Sequence, residues 1–156
     1  LDKTFGGEGI IVLNLGAKSY DVGSIVVAQG NKLVATIGSD VFPSAALMRF
    51  NEDGSIDRSF GGDKGCVIPG GEFRGPVITA DGRLLVALTK DYTVKVYTAD
   101  GQPSTEIASN DAPRPAAETM RSMILAPDGR LLLTGYTRLE EGRTVPTTIR
   151  LRGLTP

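Results

Sequence analysis

The sequence predicts an all-β protein, built as three propeller-like, four-stranded antiparallel blades in an open or incomplete propeller. Three observations lead there. The chain repeats itself, its apolar runs have strand length and are separated by turn residues, and no stretch shows a convincing helical period. Glycine supplies 20 of the 156 residues, close to twice average usage, which fits many tight turns.

The first repeated element opens the chain. Leu1-Asp2-Lys3-Thr4-Phe5-Gly6-Gly7 returns as Ile56-Asp57-Arg58-Ser59-Phe60-Gly61-Gly62. Each copy runs on to a glycine and an apolar stretch, Gly9-Ile10-Ile11-Val12 and then Gly65-Cys66-Val67-Ile68, the second after one inserted residue. The next element occurs three times, as Gly30-Asn31-Lys32-Leu33-Val34, Gly82-Arg83-Leu84-Leu85-Val86 and Gly129-Arg130-Leu131-Leu132-Leu133. The third is Leu47-Met48-Arg49-Phe50 followed by Asp53-Gly54. It is matched by Val94-Lys95-Val96-Tyr97 with Asp100-Gly101, and more weakly by Thr148-Ile149-Arg150-Leu151. The Asp-Gly pairs, at 53–54, 81–82, 100–101 and 128–129, suit hairpin turns whose central residues need positive φ.

Four short strands in ~40–50 residues is the size of a propeller blade. The repeats divide residues 1–156, read as a single domain, into blades at about 1–53, 54–100 and 120–156, with a non-repeat loop at 102–118. The central strands, Lys32–Ile37, Arg83–Leu88 and Arg130–Gly135, are expected to be the most buried. Phe5 and Phe60 are expected to pack between neighbouring blades, and a helical turn is expected near Thr119–Met123.

The box Leu/Ile-Asp-x-Thr/Ser-Phe-Gly-Gly, followed by Asp-Gly-Arg-Leu-Leu-Val and Arg-Phe-x-x-Asp-Gly-Ser-Ile-Asp, resembles the delta-60 repeat, a bacterial module that implies propeller-type blades. The resemblance covers residues 1–101 well and 120–152 in part. Closed propellers have about 4 to 8 blades, so three leave open faces or edges. The chain is then a fragment of a longer propeller, half of a two-chain assembly, or an open arc that binds something.

The repeat breaks after Gly101. Residues 102–118 carry Pro103, Pro113 and Pro115 but no phenylalanine or glycine, where a third box is due. Prolines 113 and 115 are incompatible with a central strand. The stretch reads either as a proline-stiffened binding loop on a rigid scaffold or as a decayed repeat turned linker.

Composition removes most catalytic chemistry. The chain has no histidine, so Ser-His-Asp, Cys-His and histidine-zinc sites are excluded. Cys66 is the lone cysteine, holds the place of Ile10, and reads as a small strand hydrophobe with no base beside it. The glycine clusters lack the phosphate-loop and dinucleotide spacings. Asn51–Asp57 lacks the alternation of a calcium loop and reads as a hairpin turn. Glu140 and Glu141 read as a solvated tip, and Arg150 and Arg152 as sharing a solvent face. Seventeen basic against eighteen acidic residues, with Arg114, Arg121 and Arg130 scattered, give no footprint for nucleic acid. No apolar run of 18 residues is present, so no membrane insertion is expected. Neither a cofactor nor a metal is expected. Leu1 in first position is expected of a processed or trimmed chain.

What remains is a non-catalytic binding protein that presents the 104–115 loop to a partner. Size, blade pattern and the segment Ile107-Ala108-Ser109-Asn110-Asp111 resemble the immunity proteins of bacterial type VI secretion that neutralise a peptidoglycan amidase effector. That resemblance implies a secreted Cys-His endopeptidase as partner and a loop plugging its active site. It implies Ser109 hydrogen-bonding the catalytic histidine with Asn110 beside it, and a periplasmic location after removal of a signal peptide. The alternative is a structural repeat fragment, or a homodimerising half of a larger bacterial delta-60 propeller.

Overall fold

A computed structural model describes residues 1–12, 20–27, 30–39, 45–89, 93–107, 118–139 and 141–151. It is all-β, and the described residues form eleven strands in three antiparallel sheets. Sheet 1 has the order β1 (Tyr20–Val27), β2 (Leu33–Ser39), β3 (Ala46–Phe50), β4 (Cys66–Val67). Sheet 2 has β5 (Phe73–Ile78), β6 (Leu84–Leu88), β7 (Val94–Tyr97), β8 (Pro103–Ile107). Sheet 3 has β9 (Glu118–Leu125), β10 (Leu131–Arg138) and β11 (Thr144–Leu151).

The sheets stack in chain order, and strand alternation explains how. Along β6, Leu84 and Val86 join Val34, Leu47 and Phe60 in a cluster shared with sheet 1. Leu85 and Ala87 point the other way, to Met120, Met123, Leu131 and Leu133 of sheet 3. Sheet 2 is thus apolar on both faces, and β6 is buried throughout residues 84–87. In sheet 3 the face toward sheet 2 is the buried one, so β10 buries Leu131 and Leu133 while Thr134 is exposed. The first strand of each sheet bulges against its neighbour, at Val22/Ile25, Arg74/Val77 and, between β9 and β10, at Thr134/Gly135.

Four sequence expectations are corrected. Sheet boundaries do not follow the 1–53 and 54–100 units. Cys66–Val67, from the second unit, pairs with Leu47 and Met48 as the outer strand of sheet 1. Sheet 2 is completed in the same way by Pro103–Ile107, so the expected 102–118 loop begins as a strand. Pro103 is tolerated because β8 is the outermost strand of its sheet. The expected helical turn at Thr119–Met123 is part of β9. Met120 and Met123 are both buried at a helix-like spacing because the bulge inserts Arg121 between them. The central-strand alignment also shifts by one residue, since Leu33, Leu84 and Leu131 all pair with the end residues Phe50, Tyr97 and Leu151.

Phe60 is fully buried among residues of sheets 1 and 2, as expected, whereas Phe5 is half-buried. The turn after Phe60 demands glycine. Gly61 has φ 69°, and a Cβ there would lie 2.1 Å from the carbonyl oxygen of Cys66. Gly62 has φ 73° but faces only the flexible end of Gln102. Both alanine variants incur the left-handed penalty of about 1–2 kcal/mol. Gly61→Ala is expected to lower the urea midpoint clearly further than Gly62→Ala.

Candidate functional site

Strands β8 and β9 bracket the segment 108–117. Of the sequence-selected binding residues, Ile107 ends β8 and pairs with Val94. Ala108, Ser109, Asn110 and Asp111 lie outside the described residues, as do Arg114 and the prolines at 113 and 115. The crossing from the outer strand of sheet 2 to the first strand of sheet 3 therefore spans ten residues, 108–117. The equivalent crossing from sheet 1 to sheet 2 spans five, 68–72. Both anchor strands are held by ladders, β8 on β7 and β9 on β10.

The most organised cluster of charges is one that sequence reasoning passed over. Arg49 is 4% exposed and donates through Nε to Asp57 Oδ2 at 2.7 Å. Its other nitrogens donate to the carbonyl of Ala99 at 2.6 Å and to Asp100 Oδ1 at 3.2 Å. The guanidinium stacks over Phe60, 4.9 Å from the ring centre. Asp57 accepts further from Lys32 Nζ at 2.5 Å and from Ser59 Oγ at 2.6 Å. Burial opposes the charge on Asp57, but the hydrogen bonds from Lys32, Ser59 and Arg49 outweigh it and hold the carboxyl well below the usual range. The donors and acceptors of this cluster satisfy one another, so it clamps sheet 1 to the Ala99–Asp100 turn of sheet 2. The available signal was that Arg49 and Asp57 both stand inside recurring elements.

A groove of about 600 Å³ runs between the 61–69 turn and the start of β8, with Lys64, Cys66, Tyr97, Gln102 and Ser104 among its lining residues. Cys66 is partly buried against Ala35, Ile37, Met48 and Phe50, as a strand hydrophobe would be. Asn51–Asp57 forms a hairpin turn, closed by bonds from Asn51 N to Ser55 O and from Gly54 N to Asn51 O, both 2.9 Å. Among the described residues no group of three or more His, Cys, Asp or Glu side chains could hold a metal ion. Glu141 pairs with Arg143, Arg121 stacks on Tyr136, and Arg150 is exposed; Glu140 and Arg152 lie outside the described residues. Among the described residues no helix is long and apolar enough to cross a membrane.

One family comparison agrees with the architecture. A family described as a β-propeller domain of unknown function, DUF5122, matches residues 33–60. The matched stretch contains β2, β3 and the box up to Phe60. The chain is β-propeller-like. No curated protein matches. A solved structure of a protein of unknown function from Bacteroides caccae is similar at 14% identity with a TM-score of 0.48, over 90% of this chain. The chain spans about half, 48%, of that protein's length.

Proposed function

We propose that this propeller-like chain is a non-catalytic protein-binding module that engages its partner through residues 107–115. The carrying observation is the doubled crossing between sheets 2 and 3, ten residues where the equivalent crossing has five. The added length carries Ala108, Ser109, Asn110, Asp111, Pro113 and Pro115. Proline lowers the entropy cost of ordering such a segment on a partner, and the small polar residues fit a narrow cleft. The absence of histidine from the sequence further favours binding over catalysis.

In its most specific form the partner is a secreted Cys-His peptidoglycan amidase, met in the periplasm. Ser109 would satisfy the catalytic imidazole, and the sheets behind it would exclude substrate. This form rests on the immunity-protein resemblance of the 107–111 segment. Titration calorimetry of the purified chain with such an amidase tests it. Ser109→Ala with Asn110→Ala is expected to weaken binding at least tenfold, while Cys66→Ser leaves it unchanged. Equal affinity for the double variant and the unaltered chain would refute the loop-plug reading.

A further inference from the structure

The junction between sheets 1 and 2 is assembled from parts that recur, separated, at the two ends of the stack. Asp2, Phe5, Ile10 and Ile11 hold the places of Asp57, Phe60, Cys66 and Val67. Their local geometry is the same. Gly6 N donates to Asp53 O at 2.8 Å as Gly61 N does to Asp100 O at 2.9 Å, and Gly9 N donates to Phe5 O at 2.7 Å as Gly65 N does to Phe60 O at 2.8 Å. Asp2 accepts from Thr4 as Asp57 accepts from Ser59.

Sheet 3 carries the complementary half. Register sets Leu151 in the place of Phe50, and hence Thr148, Ile149 and Arg150 in the places of Leu47, Met48 and Arg49. Arg130 holds the place of Lys32. Ile124, opposite Leu132, holds the place of Val77, opposite Leu85, which packs against the next sheet.

In the middle of the stack Leu47, Met48, Arg49, Asp57, Phe60 and Val67 are buried, and the residues that hold their places at the ends are all more open. Ile10 is 56% exposed and Ile124 55%, and Arg150 is exposed. Among the described residues β11 pairs with β10 alone, while sheets 1 and 2 each have a fourth strand.

We propose that the chain self-associates head to tail, with residues 1–12 of one copy adding as the fourth strand of sheet 3 in a second copy. Ile11 lies opposite Thr148 and Ile10 opposite Ile149, reproducing the pairing of Val67 with Leu47 and Cys66 with Met48. The carboxylate of Asp2 accepts from the Arg150 guanidinium, which stacks on Phe5. Pro146 has no N–H to give, but it lies two residues outside this two-pair footprint. Strand addition supplies affinity through backbone bonds, and the charged and apolar positions set the register. Two copies bring six sheets together, within the range of closed propellers. The contact uses neither β8 nor residues 108–117, so it stands apart from the partner-binding reading.

Sedimentation equilibrium of the 1–156 chain over a concentration series tests the contact. The unaltered chain is expected to reach twice the monomer mass. Asp2→Arg and Arg150→Asp, both exposed positions, are each expected to weaken association by roughly thirtyfold or more. An equimolar mixture of the two single variants restores an Asp2–Arg150 pair at one contact and the reversed pair at the other, and is expected to recover the mass. A monomer at all concentrations, or association indifferent to both charge reversals, would overturn the proposal.

Discussion

Arg49→Ala is expected to destabilise the fold by about 3–5 kcal/mol, because it leaves Asp57 and the Ala99 carbonyl without their buried donor. Asp57 is 6% exposed and would retain only Lys32 and Ser59. The same clamp sets an acid limit. The folded-state carboxyl of Asp57 sits well below its ordinary value, so its contribution is present above about pH 4, where the unfolded chain's aspartate is ionised. That contribution is lost as pH falls from there toward the depressed folded value. Asp57→Asn is therefore expected to be less stable than the unaltered chain near neutrality, with the gap narrowing between about pH 6 and about pH 3. Urea unfolding at both pH values measures it. A gap that stays constant would show that Asp57 contributes nothing through its charge.

Phe60→Ala is expected to cost about 3–5 kcal/mol as well, lowering the thermal midpoint by about 10 °C. The ring is fully buried and fills the space between Val34 and Leu47 of sheet 1 and Leu84 and Val86 of sheet 2. It also rests on Gly101, where a Cβ would come within 2.8 Å of it. Truncation therefore opens a cavity at the junction and removes the aromatic face beneath Arg49. A loss under about 1 kcal/mol, read by calorimetric unfolding, would mean that the sheets close over the gap and the ring does not join them.

The architecture was legible wherever one residue decides one local conformation. The Asp-Gly pairs are turns, but only the glycines, Gly54, Gly82, Gly101 and Gly129, have positive φ; the aspartates do not, so each glycine N–H closes a turn onto the carbonyl three residues back instead of sharing positive φ with its aspartate as expected. The match of Thr148–Leu151 to Leu47–Phe50 is realised in the register of β11 on β10. Phe60, chosen from the box alone, is at the junction. What failed depends on distant pairing. A repeat period says nothing about where a sheet begins, so it places Cys66–Val67 one unit too late. Met120 and Met123 imitate a helical spacing because a bulge, set by the neighbouring strand, displaces Arg121. Pro103 signals a loop in isolation, yet at an outer edge it pairs with Tyr97. Of the candidate site, the anchors β8 and β9 emerge from the fold, while Ser109 and Asn110 were chosen on residue type. The Arg49–Asp57 clamp joins two motifs already noticed separately.

Because sheet 1 borrows its last strand from the box that heads the following copy, the segment duplicated in the gene and the segment that folds are out of phase. An excision at residue 54 would strip one layer of its margin and orphan an apolar ribbon on the other product. A break at the Gly70-Gly71 turn instead leaves both ladders whole. New chain ends, fusions and permutations in this scaffold therefore belong between an outer strand and the next inner one, never at the boundary the eye finds by aligning copies.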